Sequence, residues 1–217
     1  MGKVRAYTYN EELANTITHA LGIVLGFIAG YLLLTKAMQH SGYWAVVSVW
    51  VYLFGMMISY VSSTLYHGSH QKSRKQKLQQ IDHAAIYLHI AGTYTPFTLV
   101  TLRHAGLWGW AIFTIVWLTA FIGVKSSFRS HEKHSHLETI SYVLMGCVVL
   151  IAFKPLVEIL QQAGKMDVLY WIITGGISYI IGAVFYSLTQ IKYMHTVFHV
   201  FVFLGSLCHI IAIYEAL

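Results

Sequence analysis

The chain has 217 residues, of which 57% are hydrophobic and only 10% are charged, and its mean hydropathy is +0.60. Soluble domains carry about 25% charged residues, so this composition excludes an ordinary soluble protein and indicates an integral membrane protein. The net charge of +6 comes from lysines and arginines in short connecting segments, which fits membrane orientation rather than nucleic-acid binding. The length suits one domain over residues 1–217.

Seven apolar segments are candidates for membrane-spanning helices, which need about 20 residues each. They lie at residues 16–38, 43–66, 83–102, 107–125, 138–156, 168–189 and 195–214. The third is the least apolar, because it opens with Asp82 and contains His89. The sequence therefore predicts an all-α protein, a bundle of seven transmembrane helices.

The distribution of basic residues predicts the orientation of this bundle. With seven spans the two termini lie on opposite sides, and ten of the 14 lysines and arginines fall on the side of the N-terminus. Basic residues concentrate on the cytoplasmic side of membrane proteins. We therefore expect a cytoplasmic N-terminus and a C-terminus on the opposite side.

The first predicted span carries Gly22, Gly26 and Gly30 at intervals of four residues. Such a stripe lets another backbone approach closely, and we expect it to pack inside the monomer rather than to form a dimer. His19 lies near the cytoplasmic start of this span. It would either approach a site at that end or serve in packing and interfacial hydrogen bonding.

The second and third predicted spans carry polar groups near their connecting loop. Ionisable side chains inside a membrane are costly, so each is a candidate functional residue. The second span ends in SSTLYH, where Ser63 and His67 share one helix face. Asp82 opens the third span, and His89 follows on the same stripe, where it lines a cavity or packs in the core. His83 lies beside the loop, and nothing in its sequence context indicates a functional role.

Two further histidine clusters occur later in the chain. The loop HEKHSH at 131–136 looks like a metal cluster, but in a short basic loop we interpret it as a solvated surface. The seventh predicted span begins HTVFH, so His195 and His199 share one helix face. His209 lies ten residues further on, about 15 Å along a helix, which favours packing or a role on the outer side.

The predicted orientation brings four of these groups to one depth. The second span runs inward, so His67 lies at its cytoplasmic end. The third and seventh spans run outward, which places Asp82, His195 and His199 in their first turns. Three protein ligands with an open fourth position are typical of catalytic zinc, and zinc favours imidazole whereas calcium and magnesium favour oxygen. We therefore predict that the three histidines bind Zn²⁺.

Asp82 and Ser63 are the predicted catalytic residues beside this metal. Asp82 would accept a proton from water at the metal or orient that water. Ser63, one turn deeper than His67, would hydrogen-bond the water or the substrate, or equally the backbone of its own helix. A structural clamp that pins the three spans together is the alternative to a catalytic centre.

Three stretches of the chain resemble the signature motifs of the bacterial haemolysin III proteins. These proteins are the prokaryotic branch of the progestin and adipoQ receptor family. The stretches are SSTLYH, IDHAAIYLHIAGTYTPF and HTVFHVFVFLGSLCH, and NTITHALG also resembles the opening of that branch. The resemblance implies seven spans with the N-terminus inside and zinc held by His67, His195 and His199. It also implies that Ser63 and Asp82 lie near the metal.

The resemblance further implies a multi-pass protein of the bacterial plasma (inner) membrane that acts in membrane lipid homeostasis. Because the family is grouped with alkaline ceramidases, the first hypothesis is a zinc-dependent hydrolase of a lipid amide or ester. The second is a non-catalytic sensor or regulator of membrane lipid with structural zinc. A pore-forming haemolysin ranks last, because a secreted toxin needs a soluble form and the chain has few polar residues.

Overall fold

The structure, a computed structural model, describes residues 5–39, 42–129 and 137–217 in full and residue 136 by its backbone. Over these ranges the chain is helical and contains no strand. The helices are α1 (Tyr9–Gln39), α2 (Tyr43–Gly68), α3 (Lys72–Pro96), α4 (Trp108–Ser127), α5 (His136–Gly146), α6 (Phe153–Gln162), α7 (Met166–Ser187) and α8 (Met194–Ala216).

Six helical segments are long and apolar enough to cross a membrane. Five are α1, α2, α4, α7 and α8, and the sixth is the continuous segment Leu137–Gln162, in which a tighter turn joins α5 to α6. The prediction of an all-α membrane protein is therefore confirmed at this level.

The third predicted span differs most from its expected form. Its helix, α3, begins at Lys72 rather than at residue 83, and its first turns are strongly polar. It passes at Pro96 into a wider helical turn, Phe97–Thr101. Because these polar turns lower the mean hydropathy, α3 is not one of the six apolar helices.

The first helix is also longer than its apolar segment. It begins at Tyr9 rather than at residue 16, so its first two turns are polar and include the buried residues Glu11 and Asn15. Polar turns are stable here because α1 packs against both α2 and α8, which offer hydrogen-bonding partners. This extension places the start of α1 beside the ends of those two helices.

The core of the bundle follows α2, which is the most buried of the six apolar helices. Tyr52, Met56 and Tyr60 on this helix are fully buried. α2 packs against α1 on one side and α3 on the other, and α7 packs along α8. Apolar side chains such as Phe27 and Tyr31 point outward from α1, as expected for a surface in contact with lipid.

The glycine stripe of α1 faces α2 within the same chain. A methyl group on Gly22 would overlap the ring of Tyr60, and one on Gly26 would overlap the sulfur of Met57. The prediction that the stripe packs inside the monomer is therefore confirmed.

We expect the substitution Gly22→Ala to destabilise the bundle, because the added methyl group forces the buried Tyr60 ring to move. Overpacking of this kind costs about 1–3 kcal/mol, measurable as a lower thermal unfolding midpoint in detergent. Gly176→Ala on α7 is the matched control, since a methyl group there meets open space. Equal midpoints for the two variants would contradict the close packing of α1 on α2.

Candidate metal centre

Three histidines from two helices converge at one end of the bundle. His67 lies in the last turn of α2, and His195 and His199 lie in the first two turns of α8. The Nε2 atoms of His67 and His195 are 3.1 Å apart, and the ligand atoms of all three lie within 4.8 Å of one another. Two nitrogens bound tetrahedrally to one zinc ion would be about 3.3 Å apart. The group could therefore hold a metal ion.

A carboxylate of α1 orients the first of these histidines. Nδ1 of His67 donates a hydrogen bond to Oε2 of Glu12 at 2.7 Å. Nζ of Lys75 donates to the other carboxylate oxygen at 2.6 Å. A proton on Nδ1 leaves the lone pair of His67 on Nε2, the atom that faces the other histidines. Carboxylates commonly fix metal-binding histidines in this way.

A backbone carbonyl of α1 orients His199. Nδ1 of His199 lies 3.2 Å from the carbonyl oxygen of Asn15 and 3.1 Å from Oγ1 of Thr18. Because a carbonyl can only accept a hydrogen bond, His199 carries its proton on Nδ1 and its lone pair on Nε2. The side chain of Asn15 also accepts a hydrogen bond from Thr196 on α8 at 2.6 Å.

A second carboxylate of α1 fixes the start of α8. Glu11 is 1% exposed and accepts hydrogen bonds from Arg5 and from the backbone N–H groups of Thr8 and Tyr193. Tyr193 is the only non-glycine residue in the described part of the chain with a left-handed backbone, at φ 64°. Glu11 thus stabilises the unusual residue that directs α8 and His195 toward the site. The Glu11 carboxylate in turn raises the pKa of Arg5.

The segment before α1 lies over the histidines. The ring of Tyr7 is 5.1 Å from the ring of His195 and 6.2 Å from that of His67. Burial, with a smaller contribution from the charge of Glu12, raises the pKa of the Tyr7 phenol. Tyr7 is therefore neutral at physiological pH and covers the site without adding charge.

The structure brings the two predicted catalytic residues next to His67. Ser63 is 1% exposed, and its hydroxyl lies close to the carboxylate of Asp82. Asp82 is half-buried and lies near His67. Its carboxylate is not needed to orient His67, because Glu12 does so. The roles of Asp82 and Ser63 stay predictions.

His19 approaches the centre from α1. Its ring stacks on that of His199 with a centroid distance of 3.5 Å, and it also contacts the ring of Tyr60. Neither ring nitrogen of His19 has a hydrogen-bond partner among the described residues. His89 and His209 do not belong to this group, and they lie deeper in the bundle.

No pattern in the sequence indicates a role for His83. In the structure its side chain has a defined partner, which corrects that interpretation. Nδ1 of His83 lies 2.9 Å from a carboxylate oxygen of Glu138, and Ser127 donates to the other oxygen at 3.1 Å. These bonds join α3, α4 and α5 beside Asp82. The predicted solvated surface at 131–136 lies outside the described side chains.

The sequence prediction missed the residues of α1 that support the site: Glu11, Glu12, Asn15 and Thr18. The spacing of polar residues before the first apolar segment could have indicated them. Glu11, Asn15 and His19 follow one another at intervals of four, and the same helix face continues into the glycine stripe that begins at Gly22. A span defined by hydropathy alone starts at residue 16 and excludes the first two of these residues.

Comparison with known proteins places this chain in a family. The family model described as haemolysin-III related matches residues 7–210. Hemolysin-3 of Bacillus cereus is 38% identical over 196 residues, which cover 90% of this chain and 87% of that protein.

Two further relatives span nearly the same region. The Hemolysin-3 homolog of Bacillus subtilis (strain 168) is 38% identical over 200 residues, with 92% of this chain and 91% of that protein covered. The monocyte to macrophage differentiation factor of Homo sapiens is 28% identical over 216 residues, with 97% and 86% covered. All three candidate ligands lie within the matched residues, and the chain belongs to the haemolysin-III-related family.

Proposed function

We propose that this protein is a zinc-binding membrane protein that hydrolyses an amide or ester bond of a membrane lipid. The observation that carries the proposal is the carboxylate of Asp82, which lies beside His67 and near the hydroxyl of Ser63. His67 and His199 have separate orienting partners on α1, so this carboxylate is available for chemistry. Family membership and the six apolar helices support its location in a membrane.

We further propose that α3 is a seventh membrane span, with the N-terminus in the cytoplasm of a bacterium. The second half of α3 is largely buried, because the helix packs between α2 and α4. A helix shielded from lipid in this way does not need the hydropathy of an outward-facing span. The excess of basic residues on the side of the N-terminus supports the orientation.

The donor set of the site fits zinc. Three imidazoles, each able to present one ring nitrogen, are the ligands of many catalytic zinc sites, whereas calcium and magnesium favour oxygen. The second ring nitrogens of His67 and His199 are engaged by α1, as expected for zinc-binding histidines. When bound, a zinc ion supplies Lewis acidity for attack on a carbonyl carbon.

The residues of the chain then have distinct roles. Asp82 accepts a proton from the attacking water and returns it to the leaving amine or alcohol. Ser63, whose hydroxyl lies near the Asp82 carboxylate, would orient it or hydrogen-bond the water. Glu12 keeps the proton of His67 on Nδ1, so that Nε2 faces the site throughout the reaction.

The surroundings of the site favour a lipid over a polar substrate. Tyr186 and Phe198 each place a ring 5.5 Å from the ring of His195, forming an apolar wall beside the candidate ligands. Ile81, next to Asp82, is 38% exposed. An acyl chain lying in the inner leaflet would reach the site sideways between such side chains.

A non-catalytic lipid sensor with structural zinc is the second candidate. The way in which the site joins the helices favours this candidate. A bound ion would link α2 to α8, and α1 forms hydrogen bonds with both helices. In that case the metal would act as a clamp, and lipid would be a ligand rather than a substrate.

We expect the protein in lipid vesicles to release fatty acid from a ceramide-type amide or its ester analogue. Asp82→Asn should lower the rate about 10²–10⁴-fold, because the general base is lost, while the metal content is unchanged. Asp167→Asn is the control, since Asp167 is exposed on α7. If the native chain binds metal but releases no fatty acid from either substrate, the sensor replaces the hydrolase.

We expect Glu12→Ala to weaken zinc binding about 10–100-fold, because His67 loses the carboxylate that orients it. Competition with a fluorescent chelator measures the affinity in detergent. Glu158→Ala is the matched control, since Glu158 is 55% exposed and only pairs loosely with Lys154. An unchanged affinity for the Glu12 variant would show that α1 does not support the metal.

A further inference from the structure

A second group of polar side chains lies in the middle of the bundle, and we refer to it as the interior polar cluster. It draws its members from four helices, α2, α3, α7 and α8, and most of them are fully or nearly fully buried. Its members are Tyr60, His89, Tyr179, Ser206 and His209, together with Tyr52, whose phenol lies close enough to those of Tyr179 and Tyr60 for an electrostatic interaction. The proposed hydrolysis uses none of them.

The cluster is connected through Ser206. The phenol of Tyr60 donates a hydrogen bond to Oγ of Ser206 at 2.8 Å, and the phenol of Tyr179 lies 2.9 Å from the same oxygen. The ring of His89 lies 5.9 Å from that of Tyr60 and 6.3 Å from that of Tyr179. The ring of His209 lies 5.4 Å from that of Tyr179.

The cluster is separate from the candidate metal centre. Ser206 follows His199 by seven residues, which is about 10 Å along α8. A chain of rings links the two sites, because Tyr60 contacts His19 and His19 stacks on His199. The cluster is thus a distinct site beside the metal centre, deeper in the bundle.

The neighbouring helices leave room for these polar rings. A Cβ atom on Gly205 would lie 2.8 Å from the ring of Tyr179, and one on Gly175 would lie 2.5 Å from the ring of His209. Any other residue at either position would displace a member of the cluster. The two glycines therefore let α7 and α8 enclose the polar side chains instead of excluding them.

Three buried atoms of the cluster have no hydrogen-bond partner among the described residues. They are the phenol oxygen of Tyr52, Nε2 of His89 and Nδ1 of His209. Nε2 of His209 lies 3.2 Å from the carbonyl oxygen of Ile172 and so donates to it, which makes Nδ1 an acceptor. Buried polar groups without a partner are costly, and native proteins satisfy them with protein groups or ordered water.

We propose that the interior polar cluster binds ordered water. Water fits because the phenol of Tyr52 can donate and accept, whereas Nδ1 of His209 needs a donor. An apolar ligand would leave both groups unsatisfied. A metal ion is disfavoured, since within the described residues the group able to hold one is that of His67, His195 and His199. The proposal depends neither on bound zinc nor on hydrolysis.

The substitution Tyr52→Phe tests whether the interior polar cluster binds water. If the phenol binds water, its loss removes a hydrogen bond and lowers the thermal unfolding midpoint in detergent by about 2–4 °C. If the cluster is dry, the variant removes an unsatisfied group, and the midpoint is unchanged or higher. Tyr31→Phe is the control, because Tyr31 is 74% exposed on α1.

Radiolytic labelling of the native protein decides the question without a variant. Hydroxyl radicals formed from bound water in an X-ray pulse oxidise the side chains around it, and mass spectrometry locates the products. We expect oxidation at Tyr52 and Tyr60, which are 0% exposed, above that at Met145, which is 1% exposed in an apolar part of the core. Protection of both tyrosines to the level of Met145 would overturn the proposal, whatever the stability of the Tyr52 variant.

Discussion

The hydrogen bonds that the Nδ1 atoms of His67 and His199 donate to α1 are the constraint on which the candidate centre depends. An imidazole with its proton on Nδ1 has one lone pair, on Nε2, and both rings are held so that this atom faces inward. Without these bonds either ring could turn or change tautomer. The polar first turns of α1, which would be out of place in lipid, therefore orient two of the three histidines of the candidate metal site on α2 and α8.

The need to give every buried polar group a partner also explains the arrangement of the bundle interior. Polar groups in a membrane are retained only where protein or water satisfies them, and here they are gathered along the inner faces of α1, α2, α3, α7 and α8. Small residues make this possible. Gly22 of α1 admits the ring of Tyr60, and Gly175 of α7 and Gly205 of α8 admit the rings of His209 and Tyr179. The apolar side chains, by contrast, extend outward in large numbers.

Hydropathy and helix spacing were enough to predict six apolar helices and the convergence of three histidines that could hold a metal ion. The three histidines could be grouped because the order of the spans determines how deep each residue lies in the membrane, and hydropathy predicts that order. The supporting residues were harder, because a hydropathy criterion ends a span where polar residues begin, and Glu11 and Asn15 are buried by protein rather than by lipid. The pair of His83 and Glu138 joins residues 55 positions apart, and neither residue has a local pattern that indicates the other.

The contact between α1 and α8 also determines when, during synthesis, the bundle can close. Thr18 and His199 are separated by 181 positions, so the ribosome releases the first member of this contact long before it makes the last. Only after α8 has entered the bilayer can α1 close against it. A metal ion captured there would mark a chain in which α8 has been made and inserted, and until then the polar first turns of α1 have no partner on α8.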